Sequence, residues 1–459
     1  MSKIKEVIKE ENFFDILGKT RNPKGDKILD ILNKASRKKG LTLEDVGYLV
    51  NTDNPNLIKK MFSTAGKIKR EIYGERLVFF APLYVSSFCV NDCEYCGFHV
   101  RNKAPRKKLT IKEVGEQVRI LEDMGHKRLL LEFGEHSKKN PIGYVVDVIK
   151  TIYKTKSGRG SIRRVNVNIA ATTTENYQKL KTAGIGTYQL FQETYHRETY
   201  EAMHHGLKAD YERQLFAHDR AFAGGIDDVG LGVLFGLYDW QFEVLGLVSH
   251  AQYLDKKFGV GPHTFSVPRF QPADTANLEL SYRVSEDELL KIIAILRMAV
   301  PYTGMIISTR ERPEIRAKAF EIGISQTSAA SRTSPGGYGM EDTNLEQFHT
   351  ADHRSVEKVL ESIMDQDLLP SFCTACYRSG RTGKKFIELA KPGNIRNFCR
   401  PNAILTFKEY LLDYASDSVR KEGERIIQKY LNQIPDKQRK DKTVKRIVRL
   451  ENGERDLYF

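Results

Sequence analysis

The chain lacks any apolar run long enough to cross a membrane. Its longest apolar runs, such as RLLLEF and IIAILRMAV, fall far short of the roughly 20 residues that a membrane-spanning helix needs. The N-terminal segment, MSKIKEVIKEENFFDILGKT, is charged throughout and has no apolar core of the kind that signal peptides carry. We therefore expect a cytoplasmic protein with no membrane association.

The basic clusters of the chain lack interleaved aromatic residues. The formal net charge is +14, with local basic clusters at RNKAPRKK and KDKTVKRIVR. Single-stranded nucleic acids need aromatic side chains on which bases can stack, and neither cluster contains one. We expect a solvated basic surface and no nucleic-acid partner, although an enzyme acting on RNA remains an alternative. Attraction of anionic small molecules or of an acidic protein is a further use of this charge.

The order of predicted elements divides the chain into three parts. Residues 1–76 read as a helical extension. Residues 77–345 alternate strand and helix about eight times, which predicts an α/β protein with a (βα)8 TIM-type barrel; a doubly wound open sheet is the alternative. Residues 346–459 read as a mostly helical C-terminal domain that carries a second metal site.

Cysteine is scarce, and all six residues fall into two tight groups. The first cysteine group is Cys89, Cys93 and Cys96; the second cysteine group is Cys373, Cys376 and Cys399. A reducing compartment disfavours disulfides, and structural core thiols would be scattered along the chain. The grouping therefore predicts two metal sites.

The first cysteine group has the spacing C-x3-C-x2-C and follows the first predicted barrel strand directly. Catalytic loops of this fold collect at that end of the strands. A zinc ion is one reading, with His99 as the fourth ligand. With Tyr95 before its last cysteine, however, the motif resembles the signature of the radical S-adenosylmethionine (SAM) superfamily. That resemblance implies a 4Fe–4S cluster whose fourth iron is left free to bind SAM.

Membership of that superfamily would also imply contacts to SAM elsewhere in the barrel. In EFGEH, the last residues of the second strand resemble the motif that holds the methionine amino group, and an arginine suits the SAM carboxylate. The histidine pair in EAMHHG is interpreted as ordinary. The cofactor-binding residues implied by the resemblance are Tyr95, Phe98, Gly134, Glu135, Glu193 and Arg213.

The second cysteine group has the spacing C-x2-C-x22-C, and no histidine lies between its last two members. A zinc ribbon normally pairs two C-x2-C knuckles, and here the second knuckle is missing. Three thiolates indicate a second iron–sulfur cluster with one open iron, which an electron relay would not need but a site for a small molecule would.

Together with ISTRE at residues 307–311, the second cysteine group resembles the FeFe-hydrogenase maturases of the tyrosine-cleaving radical SAM branch. The resemblance implies that L-tyrosine is cleaved to p-cresol and dehydroglycine, and that dehydroglycine becomes CO and cyanide on an auxiliary 4Fe–4S cluster. The product would be an Fe(CO)(CN) precursor of the hydrogenase H-cluster. Implied partners are an electron donor such as ferredoxin or flavodoxin and other hydrogenase maturation proteins.

Three further residues receive roles from this resemblance. His263 is expected to bind a labile fifth iron beside the auxiliary cluster, together with a free cysteine that is not part of the chain; a hydrogen-bonded core histidine is the alternative. Ser308 and Arg310 are expected to hold the tyrosine carboxylate, unless Arg310 pairs with Glu311 or Glu314. Two other functions stay open: a thiamine-pathway tyrosine lyase that only supplies dehydroglycine, and a non-catalytic iron–sulfur carrier or scaffold.

Overall fold

A computed structural model describes residues 4–158, 160–273, 278, 280–339 and 346–459 of the chain. Within these ranges, no helix combines the length and apolar character needed to traverse a lipid bilayer. Residue 345, where we place the second domain boundary, lies outside the described residues. The division into three domains therefore stays a prediction.

The predicted (βα)8 barrel is confirmed. Parallel strands β1 to β8 pair in chain order, and β1 closes the ring because it pairs with both β2 and β8. A doubly wound open sheet would leave two free edges, so that alternative is wrong. The strands are β1 (Arg76–Ser86), β2 (Arg128–Phe133), β3 (Arg164–Asn168), β4 (Tyr188–Gln189), β5 (Val229–Gly232), β6 (Thr264–Ser266), β7 (Gly304–Ile307), β8 (Gln326–Ser328) and β9 (Leu369–Ser371).

Strand β1 shows why these sequences form a barrel wall. Alternate residues, among them Phe79 and Leu83, are almost fully buried beneath the surrounding helices. The residues between them, such as Phe80 and Tyr84, line the cavity inside the barrel. Both faces are covered, so the strand reads as a continuous apolar run and not as an alternation of apolar and polar residues.

The helices begin where the sequence predicts. Thr42, Thr110 and Ser285 each form a capping box with an acidic residue three positions later. Outside the C-terminal part, the helices are Ile4–Val7, Glu10–Lys19, Gly25–Ala35, Leu43–Val50, Pro55–Tyr73, Ile111–Asp123, Ile142–Lys154, Thr174–Thr182, Arg197–Met203, Tyr211–Leu215, Ala217–Ala223, Trp240–Phe258, Glu286–Ala299 and Pro313–Ile322, with a 3-10 turn at Leu207–Ala209.

The C-terminal part is mostly helical, as predicted, but it also adds β9 to the barrel sheet. β9 pairs in parallel with Arg76–Val78 at the start of β1. Three residues containing a proline give little strand signal, and such a segment is tolerated only at a sheet edge. The helices of this part are Val356–Met364, Ala375–Arg378, Gly383–Ala390, Arg396–Asp413, Asp417–Asn432 and Lys437–Glu451.

Candidate active site

Strand β1 connects the two cysteine groups. Its last residue, Ser86, stands just before the first cysteine group at the carboxyl end of the barrel. At the other end of β1, the paired strand β9 leads directly into the second cysteine group. The two groups therefore lie at opposite ends of the barrel, and the barrel interior lies between them.

Backbone hydrogen bonds to neighbouring segments hold the loop that carries the first cysteine group, residues 89–99. The amide of Asp92 donates to the His205 carbonyl at 3.0 Å, and the amide of Gly97 donates to the Gln347 carbonyl at 3.0 Å. A Cβ atom at position 97 would lie 2.5 Å from a neighbouring carbonyl oxygen. Glycine is required there because the two backbone segments come so close.

The thiols of this loop suit a cluster better than a single metal ion. The Phe98 amide and the Gln347 side chain donate to Cys96 Sγ at 3.4 and 3.6 Å, as donors around iron-bound thiolates do. Over the described ranges, no three His, Cys, Asp or Glu side chains converge on one ion position. His99 lies 2.9 Å from Asp92 instead. Each thiolate of a cluster binds a different iron, so the residues fit a cluster. Because His99 contacts Asp92, it does not supply the fourth ligand that a zinc ion would need.

Gly134, Glu135 and Arg213 come together beside this loop. A Cβ at position 134 would sit 2.4 Å from the Phe88 carbonyl oxygen, so the β2 end lies directly against the loop. The Glu135 carboxylate accepts hydrogen bonds from Asn91 at 2.6 Å and from Arg213 at 2.5 Å. The pair thus offers an anion and a cation at one place, which matches the two charged ends of an amino acid such as the methionine part of SAM.

Glu193 and Tyr95 are joined by a lysine. Glu193 has φ of +70°, and such strain in a non-glycine residue concentrates at functional sites. Lys208 Nζ lies 2.8 Å from Glu193 and 3.1 Å from the Tyr95 hydroxyl, which also lies 2.8 Å from His204. Burial alone would lower the pKa of Lys208, but the charges of Glu193 and Cys93 outweigh burial and raise that pKa.

Lys208 and His204 are functional-site residues that the sequence interpretation missed. Both belong to the segment HHGLK, between the predicted contacts Glu193 and Arg213. That position was the only available signal, because neither residue belongs to a recognisable motif. Their contacts depend on how the segment after β4 folds back onto the first cysteine loop.

A cavity of about 140 Å³ occupies the barrel between the two cysteine groups. Tyr95, Glu193, Ser308, Arg310 and Glu132 all line it. Two of the predicted cofactor residues, Tyr95 and Glu193, and both predicted substrate residues therefore face one space. Its inner wall is apolar and is formed by Phe80, Leu130 and Ile306.

Arg310 is available for a ligand. Its guanidinium carbon lies 3.2 Å from the centroid of the Phe348 ring. The alternative partner Glu311 accepts a hydrogen bond from Arg269 at 3.0 Å instead. In the described parts of the chain no carboxylate forms an ion pair with Arg310. Burial lowers the pKa of Arg310, so an incoming carboxylate would gain a desolvated cation.

The second cysteine group lines a separate cavity of about 40 Å³ at the amino end of the barrel. The Ala375 amide donates to Cys373 Sγ at 3.4 Å. Arg76 and Arg381 hydrogen-bond to Cys399 and Cys376, respectively. This group of thiols with N–H and guanidinium donors resembles the first one, and it fits the chemistry of an iron–sulfur cluster.

His263 lines the same cavity as the second cysteine group, as expected from the sequence. Its Nδ1 lies 3.3 Å from Asp228, and its Nε2 lies 3.4 Å from the Tyr377 hydroxyl. Burial lowers the pKa of His263 despite the opposing charge of Asp228. The neutral imidazole that results is the form that binds metals.

Comparison with known proteins places these features in a class. The Radical SAM superfamily profile matches residues 83–245, and the Biotin and Thiamin Synthesis associated domain profile matches residues 266–369. A parallel barrel with a three-cysteine loop at its carboxyl end, matched by the superfamily profile, defines a radical SAM enzyme. Such an enzyme uses a 4Fe–4S cluster and SAM.

Individual relatives narrow the class. The 2-iminoacetate synthase of Salmonella typhimurium is 32% identical over 333 residues, which is 72% of this chain and 86% of that protein. A crystal structure of HydG, a maturase of the FeFe-hydrogenase, shares 54% identity with a TM-score of 0.96 and covers 99% of this chain and 100% of its own. HydG from Carboxydothermus hydrogenoformans shares 39% identity with a TM-score of 0.86, over 98% and 100% of the two chains. The chain belongs to the radical SAM family of HydG and the 2-iminoacetate synthases, and the predicted family is confirmed.

Proposed function

We propose that the chain cleaves the Cα–Cβ bond of L-tyrosine to p-cresol and dehydroglycine and then converts dehydroglycine to CO and cyanide on an auxiliary iron–sulfur cluster. The product is an Fe(CO)(CN) precursor for assembly of the FeFe-hydrogenase H-cluster. The similarity to HydG over nearly the whole chain supports this proposal. The proposed partners are an electron donor such as ferredoxin or flavodoxin and other hydrogenase maturation proteins.

At the carboxyl end of the barrel, the first cysteine group holds the 4Fe–4S cluster. When bound there, cluster and SAM would supply the radical that removes a hydrogen atom from the amino group of tyrosine. Glu135 and Arg213 orient the methionine part of SAM through their paired charges. Glu193, held by Lys208, which also donates to the Tyr95 hydroxyl, accepts hydrogen bonds from the ribose.

Arg310 and Ser308 bind the tyrosine carboxylate. The Arg310 guanidinium faces the cavity without an acidic partner among the described residues, so it can form two parallel hydrogen bonds to a carboxylate. The Ser308 hydroxyl oxygen accepts a hydrogen bond from the Arg310 amide at 3.4 Å, so its own proton stays free to be donated to the carboxylate. The aromatic ring of tyrosine would then lie against the apolar inner wall of the cavity.

The observation that carries the second step is a cysteine triplet and a histidine in one cavity. The second cysteine group and His263 surround the space of about 40 Å³ at the amino end of the barrel. The three thiolates would hold the cluster, and His263 would bind a labile fifth iron together with a free cysteine from solution. A site of this kind can retain small ligands such as CO and cyanide on iron.

A double substitution, Cys376→Ala with Cys399→Ala, separates the two steps. The first step does not use these thiols, so the reduced variant with SAM and tyrosine is expected to form p-cresol at the normal rate and no CO. Cys93→Ala is the matched control, because losing a thiol of the first group should abolish both products. Normal CO formation by the double variant would contradict the role of the second cluster.

A second candidate is a 2-iminoacetate synthase, which releases dehydroglycine without converting it further. The 32% identity to the Salmonella typhimurium enzyme favours a shared first step. This candidate predicts p-cresol without cyanide in the unmodified chain, so assay of cyanide after turnover distinguishes the two functions.

A further inference from the structure

Tyrosine presents the proposed first step with a protonation problem. The α-amino group at a chain terminus has a pKa of about 8 and that of a free amino acid is higher, so near neutral pH the nitrogen of tyrosine carries an extra proton. Removing a hydrogen atom to leave a neutral nitrogen radical requires that this proton leave first. If the proposed function holds, the cavity must therefore contain a group that accepts it.

Few side chains of the cavity can accept a proton. Burial raises the pKa values of Tyr84 and Tyr95 well above their ordinary value, so neither hydroxyl ionises at working pH. Glu193 is occupied by Lys208 at 2.8 Å. The titratable residues lining the cavity in the described ranges are Tyr84, Tyr95, Cys96, Glu132, Glu193 and Arg310. Cys96 belongs to the first cysteine group and Arg310 is a cation, which leaves Glu132.

We propose that Glu132 is the base that accepts a proton from the amino group of the bound substrate. It lies on β2, two residues before Gly134, and so near the end of the barrel where SAM binds. Its carboxylate shares a hydrogen bond with Asn168 of the neighbouring strand β3. It forms no ion pair with any described residue, and it lines the cavity together with Arg310, which holds the other end of the amino acid.

The polar and charged groups that face Glu132 come from four elements. Asn168 on β3 and Arg310 after β7 favour its ionised form, whereas Glu193 after β4 disfavours it. Tyr84 on β1 also faces it. Burial is the largest effect and outweighs Asn168 and Arg310, so the pKa of Glu132 is raised to about 8. That value brings Glu132 into the range of an amine, so proton transfer between the two costs far less free energy than transfer to an ordinary carboxylate would.

The proton balance of the step is simple. The ammonium nitrogen loses one proton to a carboxylate oxygen of Glu132, which leaves a neutral amine and a neutral carboxyl group. The same proton can return to the imine nitrogen of dehydroglycine after the Cα–Cβ bond has broken. Neither transfer needs an oxidant or a reductant.

Glu132→Gln tests the proposal, with Glu122→Gln as the matched control. Glu122 is also a buried carboxyl with a raised pKa, but it bonds to the Ile162 amide at 3.0 Å, away from the cavity. The first measurement is calorimetric titration of tyrosine into SAM-loaded enzyme without reductant, at pH 7 in two buffers with different ionisation heats. Wild type and the control should release close to one proton per tyrosine bound, because two protonated groups come to share one proton. Glu132→Gln should release none.

The second measurement is the pH profile of p-cresol formation. The wild-type rate should rise with pH up to about 8, where the Glu132 carboxylate is populated. For Glu132→Gln, the rate of p-cresol formation should no longer rise with pH, and it should be about 10²- to 10⁴-fold lower, which is the usual contribution of a general base. A variant with wild-type proton release or an unchanged profile would overturn the proposal. If the variant failed to bind its cluster, the wild-type measurement would still test the proposal. Absence of proton release by wild type at pH 7 would then refute Glu132 as the base. Failure of wild type to form p-cresol would count against the proposed function, not against this inference.

Discussion

Replacing Glu132 with glutamine should stabilise the fold, and the gain should grow with pH. Glu132 has a folded-state pKa of about 8 against an ordinary value of 4.5. Folding therefore favours its protonated form, whereas the unfolded chain ionises freely. The stability that this group contributes is complete below pH 4.5 and is lost as the pH rises towards 8. Glutamine carries no charge at any pH and can keep the hydrogen bond to Asn168.

The size of the effect follows from the pKa shift. Each pKa unit corresponds to about 1.4 kcal/mol, so the ionised carboxylate costs about 5 kcal/mol above pH 8 and about 3 kcal/mol at pH 7. The free energy of unfolding of Glu132→Gln should exceed that of wild type by these amounts. A catalytic group that destabilises the fold in this way is the usual trade between stability and activity.

Anaerobic urea denaturation at a series of pH values measures this difference. The fluorescence of Trp240, the one tryptophan of the chain, reports unfolding. The difference at pH 5, where it should fall below about 1 kcal/mol, serves as an internal control. If the difference between variant and wild type stayed constant from pH 5 to pH 8, Glu132 would titrate like an exposed carboxyl and the argument for its role as a base would fail.

Substitutions at three other residues test the remaining contacts. Lys208→Met leaves the Glu193 carboxylate buried without its cation, which costs about 3–5 kcal/mol of stability. Glu193 is then no longer held for the SAM ribose, so equilibrium dialysis should show a large loss of SAM affinity. Lys208→Arg should recover part of that affinity. Arg310→Lys keeps the charge but not the paired hydrogen bonds, so the KM for tyrosine should rise about 10-fold with kcat little changed; an unchanged KM would place the carboxylate elsewhere. His263→Ala should form p-cresol normally but bind less iron by elemental analysis, and a full iron content would exclude the histidine as a ligand.

The barrel could be predicted because its signals are local. Each strand is a short apolar run, and the helices at Thr42, Thr110 and Ser285 begin at a capping box that three residues define. Strand β9 could not be predicted in the same way. It exists because the start of β1 extends beyond the ring and offers free backbone groups, and that partner lies about 290 residues earlier in the chain.

In the candidate site, too, the residues that belong to a local motif could be predicted and the others could not. Cysteine spacing predicts two metal sites because the proposed ligands of each follow a motif, and the structure brings His263 to the second cysteine group. Lys208 and Glu132 carry no motif. Their importance comes from burial: Lys208 shares a desolvated space with Glu193, and Glu132 is desolvated without forming an ion pair among the described residues. Burial of a charge depends on the tertiary fold, so a single sequence does not reveal it.

Infrared spectroscopy of a turnover mixture tests the central claim most directly. Reduced enzyme with SAM and tyrosine should develop stretching bands of both carbonyl and cyanide bound to iron, and both bands should shift when the tyrosine carbons are labelled with ¹³C. Bands should be absent from the Cys376→Ala, Cys399→Ala variant even while p-cresol accumulates. A wild-type enzyme that forms p-cresol without any iron-bound carbonyl or cyanide band would contradict the account and leave only the first step.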